Sequence, residues 1–264
     1  MSKIKFMSHR IINTHGICNL SIAPLRASKS DESEIESQLL FGDYVTILEE
    51  RTPWIKVKNH SDSYEGWMDF KQLIYIGKED FNKGTSIKHP VLKQGTLLIE
   101  GLNGYVTIVF GSSMPFLENG KIKLGSEIYN IKTEIDNTPR NTVDYFKMYL
   151  NTPYLWGGKS IFGIDCSGIV QNCFKAIGIN LPRDASEQVN VGENIEWKDR
   201  QVGDLVYFIS SNGKVTHVGL LIELDQIIHA HGRVRQDKID EKGIWNNDLE
   251  WYSHLFHSIK RVNQ

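Results

Sequence analysis

Ile169, Val170, Cys173, Phe174 and Ile177 recur at helical spacing between Asp165, a residue type that caps helix N-termini, and Gly178, one that ends helices. Residues 166–177 therefore predict an amphipathic helix that opens on a cysteine. Downstream, DLVYFIS, HVGLLIE and QIIHAHG read as three strands, and the SNGK between the first two is a strong hairpin signal. A helix followed by an antiparallel sheet predicts an α+β unit in which the apolar stripe of the helix packs on the sheet. Upstream, NTVDYFKMYL predicts a short helix capped by Asn141 or Thr142, which sets the start of this unit near residue 137.

The text before residue 137 differs in kind. VTILEE and WIKVKNHSDSYEGWMDF are short apolar stretches broken by polar turns, and they predict a small β-barrel over residues 1–78. GTLLIEG, GYVTIVFGSS and KIKLGSEIYNI predict a second β unit over 79–136, with no residue-level repeat of the first. A length of 264 residues accommodates such a division, with residues 137–264 as the third unit. The net charge of -2 argues against a nucleic-acid partner, and no run of 18 apolar residues offers a membrane span. MSKIKFMSHRIINTHG carries basic residues but no apolar run of signal-peptide length, so a cytoplasmic protein is expected.

Cys18, Cys166 and Cys173 are too few and too unevenly spaced for a disulfide framework or a zinc site, so reduced thiols and no metal are expected. Cys166 stands apart because the first turn of a helix favours negative charge, which lowers a thiol pKa. Cys173 lies about 10 Å further along the axis, on the apolar stripe, and reads as packing, as does Cys18. A thiolate nucleophile calls for an imidazole base. His217 and His229 fall on consecutive strands, diagonal to one another in the hairpin register; His217 would be the base and His229 its orienting partner, with His231 a competitor.

TPYLWGGKSIFGIDCSGIVQNCFKAIGINLPRDASEQ, followed by VGDLVYF, VTHVGLLIE and IIHAHG, resembles the NlpC family of papain-like bacterial cysteine peptidases, which cleave peptidoglycan stem peptides. The likeness spans residues 140 to 260 and implies a nucleophile at Cys166, a base at His217 and an orienting residue at His229. It implies an active-site hydroxyl at Tyr154 and counts Asp165 and Ser167, which flank the thiol, among the substrate contacts. Trp156 is either a cleft wall or part of a packed aromatic turn. Through LRAS, GDYVTILEE, WIKVK and YEGWM, the two β units resemble bacterial SH3-like domains, which implies two small SH3-like β-barrels ahead of the papain-like unit. Paired with this catalytic unit, they imply a cytoplasmic recycling peptidase that cleaves between γ-D-glutamate and the next diamino acid in murein peptides with a free N-terminal L-alanine.

A free amine calls for a carboxylate. Asp184 in LPRDASEQ is the first candidate, with Ser186 assisting, although Asp184 and Glu187 also have the spacing of a helix-capping box. The resemblance implies that Glu34 and Tyr64 reach the same amine from the first β unit. No cofactor and no obligatory protein partner are expected, the partner being the murein tri- or tetrapeptide itself. Two other readings stand beside this one: an acyltransferase or transpeptidase using the same thiol, and a non-catalytic module that binds cell-wall fragments.

Overall fold

A computed structural model describes residues 14–263, so most of the basic opening stretch lies outside the described residues. Seven antiparallel strands between His15 and Ile76 form the first sheet. Its pattern is clearest in Trp54–Asn59, where alternate residues Ile55 and Val57 join Cys18, Ala23, Leu25, Leu39, Val45 and Met68 in the core. Cys18 is fully buried there, as its reading as a packing residue requires.

The second β block is a sheet of four short strands, Thr96–Gly101, Gly104–Val109, Lys121–Leu124 and Glu127–Ile131. Strands this short enclose little apolar volume alone. Leu97, Ile99, Ile108, Ile122, Leu124 and Tyr129 accordingly share one cluster with Ile17, Phe41, Tyr44 and Ile76 of the first β unit. Phe81 joins the cluster from the helix Lys78–Thr85, an element that a run as polar as KEDFNKGT does not announce. The two β blocks thus lean on a common core, where separate barrels were expected.

The short helix predicted after residue 140 is present, with Asn141 as its cap. Asn141 and Asp144 form a reciprocal capping box at the start of the helix Thr142–Lys147. The cysteine helix runs Cys166–Ala176, with the Asp165 side chain accepting the Gly168 amide and the chain turning at Gly178, φ +91°. Its buried side chains Ile169, Val170, Cys173 and Phe174 belong to one core with Leu205, Tyr207, Val218, Leu220, Ile228 and Ala230 of the sheet. A second cluster joins Val206, Phe208, Leu221, Ile227, Ile239, Ile244 and Ile259.

The sheet contains more than the three predicted strands. Leu205–Ile209, Val215–Glu223, Gln226–His231, Arg233–Asp240 and Gly243–Asn246 pair in sequence. The long final strand Trp251–Arg261 pairs with both the first and the last of these, so six strands close into a barrel. Closure removes the exposed edges that an open sheet would leave. Gly219 faces His229 across the ladder, which leaves His217 diagonal to His229.

Candidate active site

Cys166 sits at the first position of its helix, 6 % exposed, in a cleft of about 420 Å³. Its Sγ donates to the carbonyl oxygen of Thr216, 3.9 Å away, immediately before His217 in the strand. Burial pushes the thiol up to about 12 and the Asp165 carboxylate adds to the rise; the Val218 amide, the Arg183 guanidinium and the Ser167 amide pull the other way. The expected thiolate is therefore not the resting state. The positive end of the helix is present, but desolvation of the charge outweighs it.

Asp165 is occupied by structure. Oδ1 accepts from Gly168 N (2.7 Å), Arg183 Nη1 (3.0 Å) and Ser167 Oγ (3.3 Å), while Oδ2 accepts from Gly157 N (2.9 Å) and Arg183 Nη2 (2.5 Å). Ser167 Oγ also accepts from Arg183 Nη1 at 2.8 Å. Both residues border the cleft, yet their polar atoms already hold the thiol-bearing turn in place. Arg183, itself 1 % exposed, is the partner that sequence reading passed over.

The two histidines meet. His217 Nε2 lies 2.8 Å from His229 Nδ1, and His229 Nε2 lies 2.9 Å from Asp237 Oδ2. His231 is exposed and only flanks this chain, its ring 6.2 Å from that of His229. A third imidazole, His254 from the final strand, stacks on His217 with ring centroids 3.9 Å apart. Burial holds His217 well below its ordinary value, and the neighbouring His254, His229 and His231 reinforce the shift. Burial also lowers His229, with Asp237 opposing, and lowers His254 to about 3. The set at rest is thus neutral imidazoles beside a neutral thiol. Ring nitrogens of His217, His229 and His254 lie within 4.8 Å of one another, near enough to share a metal ion, but one nitrogen pair is already committed to a hydrogen bond.

The cleft around the thiol is acidic on one side. Glu34, Glu36 and Tyr64 of the first β unit border it together with Tyr154, Trp156, Asp184 and Ser186. Trp156 is 59 % exposed, a wall rather than a packed turn. Asp184 precedes the helix Ala185–Gln188 but makes no side-chain capping bond, so its carboxylate is free for the cleft. Burial raises its pKa, as it does that of Glu36, where Glu34 and Asp184 add to the effect. Glu36 was missed in sequence, although it shares the strand parity of Glu34. Burial above all raises the Tyr154 hydroxyl above its ordinary value.

The first β unit is bound to this site by buried polar contacts. Arg183 Nε donates to Ser37 Oγ (3.1 Å), Lys159 N to Gln38 Oε1 (2.8 Å) and Gln171 Nε2 to Asp62 Oδ2 (3.0 Å). Lys175 pairs with Asp43 at 3.1 Å, and the buried Lys159 ammonium lies 3.8 Å from Asp62.

A cysteine at the positive end of a helix, packed on an antiparallel barrel whose strands carry linked imidazoles, defines a papain-like fold of the cysteine-peptidase kind. The chain belongs to the NlpC/P60 family. Residues 151–251 match that family, and residues 25–73 match the bacterial dipeptidyl-peptidase Sh3 domain. It is 30 % identical over 75 % of its length, and 73 % of the other's, to a γ-D-glutamyl-L-lysine dipeptidyl-peptidase of Bacillus subtilis. Identity to the protein of the same name from Bacillus cereus is 28 %, over 76 % of this chain and 68 % of that one. The fold is that of an NlpC/P60 family protein from Bacillus cereus, superimposing with a TM-score of 0.78 at 22 % identity over 94 % of this chain and 99 % of the other.

Proposed function

We propose that the protein hydrolyses the bond between γ-D-glutamate and the following L-diamino acid in murein peptides that begin with a free L-alanine. The observation that carries this reading is the acidic wall facing Cys166, made by Glu34 and Glu36 of the first β unit and Asp184 of the catalytic unit, with Tyr64 and Ser186 beside them. A free α-amine is a cation that such a wall attracts. Alanine acylated by the wall sugar has no charge to offer and leaves the carboxylates unpaired. The dipeptidyl-peptidase names of the relatives support the same substrate class.

Cys166 is the proposed nucleophile. Its Sγ turns from the Thr216 carbonyl towards His217, and the thiol proton passes to the imidazole as the sulfur attacks the γ-carbonyl. The resulting oxyanion meets the Cys166 amide at the helix start and the Tyr154 hydroxyl. Collapse expels the amine, which takes the proton from His217 and leaves a thioester, and water deprotonated by the same ring releases L-alanyl-D-glutamate. These steps call on protein groups and water. The proposal places them in the cytoplasm, with residues 137–264 as catalytic unit and 1–78 and 79–136 as the β units before it. Among the described residues, no helix is long and apolar enough to cross a membrane.

The test is mass spectrometry of L-Ala-γ-D-Glu-L-Lys and its diaminopimelate counterpart, each with a free and an acetylated amine. Release of L-Ala-D-Glu from the free-amine peptides only is expected. Equal cleavage of the acetylated peptides, or product only after an amine acceptor is added, would overturn the reading.

A further inference from the structure

The hydrogen-bond chain behind His217 does not stop at His229. It continues to Asp237 on the next strand, whose Oδ2 lies 2.9 Å from His229 Nε2. The Asp237 side chain is 2 % exposed, and Arg235 Nη2 donates to its other oxygen at 2.8 Å. Arg235 Nε lies 2.6 Å from Oδ2 without the alignment of a hydrogen bond, and Arg235 Nη1 reaches Asp248 Oδ2 at 2.7 Å. A buried carboxylate held by a guanidinium is an anion, and an anion can only accept. His229 must then carry its proton on Nε2. Its Nδ1 becomes an acceptor, which requires His217 to donate from Nε2, and the lone pair of His217 is left on Nδ1.

We propose that Asp237, anchored by Arg235, is a positioning residue that sets the tautomers of both imidazoles and so leaves the proton-accepting nitrogen of His217 open towards the thiol. The proposal rests on the peptidase reading above. When the Cys166 proton arrives on His217 Nδ1, the ring becomes an imidazolium that still donates from Nε2 to His229, while the Nε2 proton of His229 stays on its own ring and is donated to Asp237. No proton crosses to the carboxylate, whose negative charge stabilises the transient cation two rings away.

Asp237→Asn separates this role from packing, because it conserves shape and swaps one acceptor for a donor. Arg235 claims the remaining amide oxygen, so the amide nitrogen faces His229 Nε2 and forces the proton of that ring onto Nδ1. His217 must then turn its own proton to Nδ1, and the base is blocked. The expected result is a fall in kcat of roughly 100-fold or more, in the direction seen when a triad carboxylate becomes an amide, with KM for the free-amine tripeptide within about threefold.

Long-range proton–nitrogen NMR of the unaltered protein gives the second measurement. His229 should be protonated on Nε2 and His217 on Nε2 at pH 7, and the Asp237→Asn spectrum should show both rings protonated on Nδ1. A wild-type His229 protonated on Nδ1 would overturn the proposal whether or not the variant folds. So would an Asp237→Asn enzyme with wild-type kcat. Wild-type protein that shows the predicted tautomers but hydrolyses no muropeptide would instead sink the peptidase reading and leave the tautomer assignment intact.

Discussion

Two side chains at the centre of the site are held away from the ionic forms their chemistry passes through. Burial raises the Cys166 thiol to about 12 and keeps His217 well below its ordinary value, so at neutral pH the pair is SH beside a neutral ring. On the proposed mechanism, attack and proton transfer would then occur together. Alkylation of Cys166 by iodoacetamide in the free protein should accelerate about tenfold per pH unit, with no plateau up to pH 9; a preformed ion pair would give a plateau near neutrality. Asp184 offers the second prediction at this scale. Its carboxylate caps nothing, so Asp184→Asn should raise KM for the free-amine tripeptide about tenfold or more, the loss expected of one charge-assisted contact. Its thermal midpoint should stay near that of the wild type, and a lowered midpoint with unchanged KM would return Asp184 to a structural role. Sequence reading singled out the thiol and the two histidines from local patterns, and Asp184 from the family resemblance, its own local spacing pointing to a cap. Asp237 lay hidden in RVRQDKID, whose charges resemble a solvent-facing strand; only its parity with Ile239, which is buried, marks it as inward.

At the level of elements, strand alternation and the helix stripe were legible because apolar side chains recur at the period of each element, although the cysteine helix is buried nearly all round, polar Gln171 and Asn172 included. The closing strand Trp251–Arg261 was not. Its side chains are mostly half-exposed, so WYSHLFHSIKR lacks the strict alternation that signals a strand, and His254 was overlooked with it. That strand has a thermodynamic signature. His217, His229 and His254 all have folded pKa values below the usual 6.5, His254 at about 3. Below pH 6.5 the unfolded chain takes up protons on these rings and the folded chain does not, so stability present at pH 7 is lost as pH falls. The urea midpoint should drop between pH 7 and pH 5, and His254→Phe should flatten the drop. The turn before the cysteine helix is as constrained. Gly157 has φ +74°, and a Cβ there would meet the Ile35 carbonyl oxygen at 2.3 Å. Gly157→Ala should therefore lower stability by at least about 1 kcal/mol in a thermal melt, and move the first β unit relative to the cleft.

Across the whole molecule, the least legible feature was how the parts are joined. Nothing in QLLFGD or YLWGGKS announces that Gln38 and Lys159 will meet, since partners 121 residues apart leave no local pattern. The seam they belong to is polar and buried. Removing Asp62 would strip both Gln171 and the buried Lys159 of a partner. Asp62→Ala should therefore lower stability by roughly 3 kcal/mol, as expected when one half of a buried pair is deleted, and calorimetry should record β units and catalytic unit melting in one transition. Two well-separated endotherms would show the seam to be incidental. Lys159 and Lys175 carry the longer consequence, since their acidic partners Asp62 and Asp43 both belong to the first β unit. A catalytic half that exposes two bare ammonium groups once its neighbour is taken away is a poor cassette for recombination. Lineages that traded the front half for a foreign module would have had to rewrite those two positions in the same step, so descent should have kept the halves together.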